Sequence, residues 1–141
     1  MTRYQVKKIL VPMDGSKNSL RGLDMGIYLA RQCGGTITGL FVMPNRLSVF
    51  EPITFDRKYL LKFSNEIMSK AKKHCAQNGI VFYGKTATGD GSTEIVNFSQ
   101  KNKFDIIVIG ARGLGSVKEA FLGSVSHAIV HKSKIPVLVI K

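Results

Sequence analysis

A glycine-rich loop follows the most apolar segment of the sequence. Gly110 and Gly113 stand at its start, and Gly123 and Ser124 stand at its end, where a helix is predicted to begin. Glycines there allow a ligand to approach the backbone, and the first amides of a helix offer unpaired donors to an anion. The loop therefore has the chemistry of a phosphate site. The same residues also fit plain turns with Ser124 as an ordinary N-cap, and their spacing favours neither interpretation.

Asp14 is the candidate polar residue directly after the first predicted strand, where Gly15 and Ser16 continue the turn. A carboxylate at this position can accept hydrogen bonds from ribose hydroxyls or hold hydrated Mg²⁺. It can equally serve the turn itself or cap the next helix. Both roles fit the sequence.

The sequence contains no recognisable catalytic constellation. His127 and His131 stand four apart on the last predicted helix, but no third metal ligand accompanies them, so we interpret them as a structural or surface pair. Ser16, Ser124 and Ser126 lie outside a Gly-x-Ser-x-Gly elbow. The phosphate-binding P-loop and the dinucleotide fingerprint are missing as well.

The candidate residues lie in the loops of an alternating strand–helix pattern. Short apolar runs alternate with segments whose apolar residues recur every three or four positions. Strands are predicted at 7–13, 36–42, 80–88, 105–109 and 136–140. Without a break in composition, this alternation predicts a single α/β domain over residues 1–141, an open parallel sheet with helices on both faces. Such sheets bind ligands beyond the carboxyl ends of their strands, where Asp14 and Gly110 lie.

Apolar spacing also predicts which helix faces are buried, and it leaves residues 45–54 as a lid-like loop. The inward residues are expected to be Leu20, Leu23, Ile27 and Ala30 on the first helix, Leu60, Phe63, Ile67, Ala71 and Cys75 on the second, and Val125, Ala128 and Ile129 on the last.

The composition is that of an ordinary globular protein. Its 141 residues are 44% apolar and 21% charged, which excludes a disordered or collagen-like chain. No apolar stretch approaches the ~20 residues of a membrane span, and the N-terminus has no secretory pattern, so we expect a cytoplasmic protein without a membrane partner. Cys33 and Cys75 indicate neither a disulfide framework nor a zinc site.

The net charge is strongly positive. Lys and Arg number 21 against 9 Asp and Glu, which gives +12 and favours polyanionic partners such as nucleic acid, nucleotides or acidic membranes. The basic residues are spread along the chain, with one modest cluster at Lys70, Lys72 and Lys73. A solvated basic surface is the simplest interpretation.

Two parts of the sequence together resemble the universal stress protein family. They are the opening segment 8–16 and the signature Gly110-x-x-Gly113, nine residues, Gly123-Ser124, followed by the segment 134–139. The resemblance covers the whole chain, and the glycine signature is typical of the ATP-binding branch. It implies a Rossmann-like fold of the adenine nucleotide alpha hydrolase type, with five strands in the order 3-2-1-4-5.

The resemblance further implies a nucleotide site. Asp14 would reach the ribose or Mg²⁺, Val42 would contact adenine through its backbone, and residues 123–125 would take the phosphates. The residues implied to bind the nucleotide are Pro12, Asp14, Val42, Ile109, Gly110, Gly113, Gly123, Ser124 and Val125.

The ligand implied is ATP, with AMP and cyclic AMP as alternatives because the segment 45–54 varies between members. Members are chiefly regulators in the stress response with weak or absent hydrolysis, so no enzyme activity is assigned. Arg112 and Lys118 are candidates for added phosphate contacts. Many members form homodimers through the last strand, here Val137–Ile140, whose pairing would cover an apolar edge. An unidentified protein client is a further possible partner.

Three other interpretations compete with this one. The net charge favours a basic nucleic-acid- or protein-binding module, for which salt-dependent nucleic-acid binding would survive loop mutations. ATP pyrophosphatases and nucleotidyl transferases of related folds need a Ser-Gly-Gly-x-Asp-Ser loop or a His-x-Gly-His-like motif, which this sequence lacks. A phospho-receiver needs an acidic cluster and an aspartate on the third strand, but Asp14 stands alone after the first.

Overall fold

The computed structural model describes residues 4–44, 57–113 and 122–141, which form one parallel sheet flanked by helices. The predicted lid-like segment 45–54 and Lys118 lie outside the described residues. The strand order β3-β2-β1-β4-β5 confirms the predicted five-stranded sheet. The elements are β1 (Lys8–Pro12), α1 (Lys17–Cys33), β2 (Thr36–Met43), α2 (Arg57–Gln77), β3 (Phe82–Thr88), α3 (Gly91–Lys101), β4 (Ile106–Gly110), α4 (Ser124–Lys132) and β5 (Val137–Ile140).

The central strand β1 separates two apolar layers because successive side chains point to opposite faces of the sheet. Ile9 and Val11 pack with Leu23 in the layer beneath α1 and α2. Leu10 packs with Ile95 in the layer beneath α3 and α4. Because both faces are covered, the strand is apolar and buried from Ile9 to Pro12, as expected for a parallel sheet.

Helix α1 packs very closely against the end of β4. A Cβ atom placed on Gly22 would lie 3.3 Å from the Gly110 backbone nitrogen. A Cβ atom on Gly110 would lie 2.6 Å from the carbonyl carbon of Asn18. Gly110 therefore has no side chain because the α1 backbone occupies that space.

Two residues that the sequence pattern placed inward are exposed. Leu20 is 48% exposed because Gly22, Leu23 and Gly26 are among the buried residues that form the inward face of α1, and Leu20 lies beside that face. Val125 is 40% exposed, while Ser126 and Ile129 take the inward positions of α4. Both expectations were therefore wrong.

The described part of the chain contains no helix with the length and apolar character that a bilayer span would need. Both cysteines are free, and Cys75 is buried while Cys33 is half-buried. Burial, with a smaller contribution from Asp24, raises the pKa of the Cys75 thiol to about 11. A thiol that stays protonated at neutral pH is a poor nucleophile.

Asp90 caps α3, and its replacement provides a test of that helix. Its carboxylate accepts hydrogen bonds from the Thr93 amide at 3.1 Å, the Thr93 hydroxyl at 2.8 Å and the Ser92 hydroxyl at 3.0 Å. We expect Asp90→Ala to lower the free energy of unfolding by about 1 kcal/mol, whereas Asp90→Asn, which keeps a capping oxygen, loses less. Urea denaturation at pH 7 measures both values.

The contribution of Asp90 to the free energy of unfolding should also depend on pH. The Thr93 hydroxyl hydrogen bond, followed by the Thr93 amide and Ser92, holds the pKa of Asp90 below its ordinary value. A lowered pKa in the folded state gives stability that is present above about pH 4 and is lost as the pH falls further. The difference between wild type and Asp90→Ala should therefore shrink between pH 6 and pH 3. A constant difference across this range would contradict the charged cap.

Candidate functional site

A cleft of about 880 Å³ opens at the carboxyl ends of β1, β2 and β4. Its volume lies within the usual range for small-molecule sites. Every residue that the resemblance assigns to the nucleotide lines this one cleft: Pro12, Asp14, Val42, Ile109, Gly110, Gly113, Gly123, Ser124 and Val125. The strand order explains this convergence, since β1 lies between β2 and β4 and brings the ends of all three strands to one edge.

Asp14 lines the cleft just after the central strand β1, and it has a structural role as well. Its Oδ1 atom accepts a hydrogen bond from the Ser16 amide at 2.8 Å, which fixes the turn into α1. A Cβ atom placed on Gly113 would overlap Oδ2 of the same carboxylate. Asp14 therefore serves the turn and also faces the glycine loop, and its contact with a ribose or Mg²⁺ stays a prediction.

The N-terminus of α4 forms the polar end of the cleft. The N-cap of α4 is Gly123, so the alternative in which Ser124 is an ordinary N-cap is wrong. No side-chain hydrogen bond caps the helix. In contrast, Ser16 caps α1 and Asp90 caps α3 through side-chain oxygens. Within the described residues, the first turn of α4 therefore lacks the side-chain acceptor that α1 and α3 have.

Two hydrogen bonds hold the start of α4 against the end of β4. The Gly123 amide donates to the Ala111 carbonyl at 2.7 Å, and the Ser126 hydroxyl donates to the Gly110 carbonyl at 2.8 Å. These bonds place the first turn of α4 at the opening of the cleft. Helix N-terminal amides in such a position favour an anionic group of a ligand.

The opposite end of the cleft is apolar. Phe41 and Phe63 make an edge-to-face contact with ring centroids 6.1 Å apart, and both line the cleft together with Leu60. Such walls suit a flat, weakly polar ring, which a nucleobase provides. Leu60 and Phe63 were predicted on the inward face of α2, but their spacing gave no sign that this face continues into a binding site.

The charged groups of the cleft are few. Asp14, Arg112 and His127 are the ionisable side chains among its described lining residues. Arg112 was a sequence candidate, whereas His127 had been interpreted as part of a structural or surface pair with His131. Their rings are 4.6 Å apart, yet His127 also lines the cleft, which its four-residue spacing alone could not indicate.

Asp14 is the one carboxylate that the described cleft offers to a metal ion. No cluster of three metal-ligating side chains occurs among the described residues. Mg²⁺ is commonly bound through one or two carboxylates together with substrate phosphates and water. The residues present therefore fit an Mg²⁺ ion that arrives with a nucleotide, with Asp14 as its protein ligand, and they do not form a separate metal centre.

The fold is shared with proteins of known structure. Protein MJ0577 of Methanocaldococcus jannaschii superimposes with a TM-score of 0.85 at 29% identity, covering 97% of this chain and 96% of that one. A universal stress protein from Archaeoglobus fulgidus, solved in complex with dAMP, has a TM-score of 0.75 at 22% identity, covering 96% and 98%.

The sequence comparisons agree with the structural ones. Universal stress protein YxiE of Bacillus subtilis is 29% identical over 150 aligned positions, covering 95% of this chain and 98% of that protein. The model of the universal stress protein family matches residues 5–141, the span that contains both the opening strand and the glycine signature. On this evidence, the chain belongs to the universal stress protein family.

Proposed function

We propose that the cleft binds an adenine nucleotide, with ATP preferred over AMP and cyclic AMP, and that the protein acts as a cytoplasmic regulatory module in the stress response. The observation that carries this proposal is the convergence of Asp14, Gly113 and the uncapped first turn of α4 on one cleft with an apolar far end. A structure of the same fold was solved with dAMP, so the fold accommodates an adenine nucleotide.

The sheet order gives the nucleotide an orientation in this proposal. Adenine lies beside Val42 and the ring of Phe63, the ribose reaches Asp14, and the phosphates meet Gly113 and the amides of α4. Mg²⁺ bound with the phosphates supplies charge neutralisation, and Asp14 holds it. The chain's contribution is binding and orientation, and we assign it no catalytic residue.

Calorimetric titration of the purified protein with ATP, AMP and cyclic AMP, with and without Mg²⁺, tests the proposal. We expect a saturable site with a dissociation constant on the order of micromolar for ATP. GTP should bind more weakly because the additional polar groups of guanine would lose hydrogen bonds to water against the apolar wall. A protein that is folded by circular dichroism but binds none of these nucleotides would contradict the proposal.

Gly113→Val tests the glycine loop. The added side chain would overlap the Asp14 carboxylate and displace it from the cleft. We expect ATP affinity to fall by about tenfold or more, which corresponds to one lost hydrogen bond to a charged group. The protein should stay folded by circular dichroism, with a somewhat lower melting temperature because the hydrogen bond from Ser16 to Asp14 is weakened. Asp14→Asn, which leaves the loop unchanged, should give a similar loss.

A matched control uses a glycine far from the cleft. Gly79 ends α2 at φ +72 with nothing within 4 Å of an added Cβ, and asparagine tolerates this left-handed conformation. Gly79→Asn should bind ATP like the wild type. Unchanged ATP affinity in a folded Gly113→Val protein would overturn the assignment of the loop.

A second candidate function is the binding of nucleic acid through the basic surface. The observation that favours it is a group of four exposed lysines on α2: Lys62, Lys70, Lys72 and Lys73. Such binding would weaken steeply with salt and would be the same in wild type and Gly113→Val. The same pair of proteins therefore distinguishes the two functions.

We also propose a homodimer through β5, which lies at the sheet edge with every residue half-buried. The Ile107 amide donates to the Pro136 carbonyl, and the Ala111 amide donates to the Ile140 carbonyl, so Pro136 and Ile140 face β4. Because backbone groups alternate in direction along a strand, those of Val139 point away from β4. Val139→Pro removes an outward donor at an edge where proline is tolerated. Sedimentation should show a dimer for wild type and a monomer for this variant. A monomeric wild-type protein would contradict the proposal.

A further inference from the structure

His127 lines the polar end of the cleft from the first turns of α4. Its amide donates to the Gly123 carbonyl at 2.9 Å, the bond that joins this residue to the N-cap of the helix. Side chains on a helix lean toward its N-terminus, so the imidazole leans toward the turn that lacks a side-chain cap. His127 is thus placed at the end of the cleft that suits an anion.

The ring of His131 supports the imidazole of His127 from one side. The two ring centroids are 4.6 Å apart with an angle of 56° between the planes. His131 does not line the cleft, whereas His127 does. The two histidines are therefore not equivalent, and only the first is placed to contact a ligand in the cleft.

The charges around His127 come from several elements. Asp14 and Arg112 share the cleft with it, and His131 and Lys132 follow on its own helix. On α3, which packs beside α4, Asp90 and Glu94 are at the N-terminal end; on β5, Lys141 follows the last strand residue. The Asp90 carboxylate already accepts hydrogen bonds from Ser92 and Thr93. Among the described residues no carboxylate forms an ion pair with His127.

We propose that His127 contacts the phosphate chain of the nucleotide and makes the cleft select polyphosphates, increasingly so as the pH falls. The inference rests on the proposed nucleotide function and adds a residue that sets its ligand preference. An imidazole that gains a proton becomes a cation, and a lower pH favours that form. A charged His127 beside Arg112 would give the polar end of the cleft a second cation. Two cations favour a nucleotide with several phosphates over a nucleoside monophosphate or a nucleoside.

Calorimetry of wild type and His127→Gln at pH 8.0 and pH 6.0, with ATP, AMP and adenosine, tests the inference. We expect the ratio of ATP affinity at pH 6.0 to that at pH 8.0 to be about twofold to fivefold larger in wild type than in the variant, as for an exposed or partly exposed charge contact. Protonation of ATP itself affects both proteins equally and cancels in this comparison. Adenosine affinity should be the same in both proteins.

His131→Gln is the matched control, because it removes a neighbouring imidazole that does not line the cleft. It should keep most of the wild-type pH response to ATP. An equal pH response in wild type and His127→Gln, with ATP bound by both, would overturn the role of His127 while leaving the proposed function intact. A wild-type protein that binds no nucleotide would overturn both.

Discussion

The hydrogen bond between the Gly123 amide and the Ala111 carbonyl, 2.7 Å long, joins the two ends of the glycine-rich loop. Because of this bond, the N-terminus of α4 lies against the end of β4. The Ser126 hydroxyl reinforces the contact by donating to Gly110 at 2.8 Å. Without this connection, the uncapped first turn of the helix would have no fixed relation to Asp14, which follows the neighbouring strand β1. The cleft depends on a backbone contact more than on any one side chain that lines it.

The glycines of the loop have different physical reasons for lacking a side chain. At Gly110 the α1 backbone occupies the space, so the requirement is helix–sheet packing. At Gly113 the Asp14 carboxylate occupies it, so the requirement belongs to the cleft. Gly123 has φ −66 and only ordinary contacts around an added Cβ, which makes it the least constrained of the three. A single sequence signature therefore combines a folding requirement with a binding requirement.

The fold could be predicted from the sequence because strand and helix periods alternate clearly and the loops carry strong stop signals. Gly34 ends α1 at φ 68, and Ser16 starts it, as their positions indicated. Apolar spacing was less reliable for side-chain orientation. It counted Leu20 and Val125 as inward because both are apolar, although the inward faces of α1 and α4 are formed by other residues, including Gly22 and Ser126.

The polar part of the cleft could be predicted, while its walls could not. Asp14 and the glycine loop follow strands directly, and strand ends in a parallel sheet converge at one edge. Phe41, Leu60 and Phe63 meet there only through the packing of α2 on β2, which a single sequence does not specify. His127 was missed for a similar reason, since its spacing to His131 is the same whether it faces solvent or a ligand.

A crystal structure of the protein with ATP and Mg²⁺ tests the central claim most directly. We predict that the nucleotide binds in the cleft, with adenine between the carboxyl end of β2 and the N-terminal part of α2. The ribose should lie at Asp14 and the phosphates at the amides of residues 123–125. ATP bound outside this cleft, or bound with its phosphates away from α4, would contradict the account.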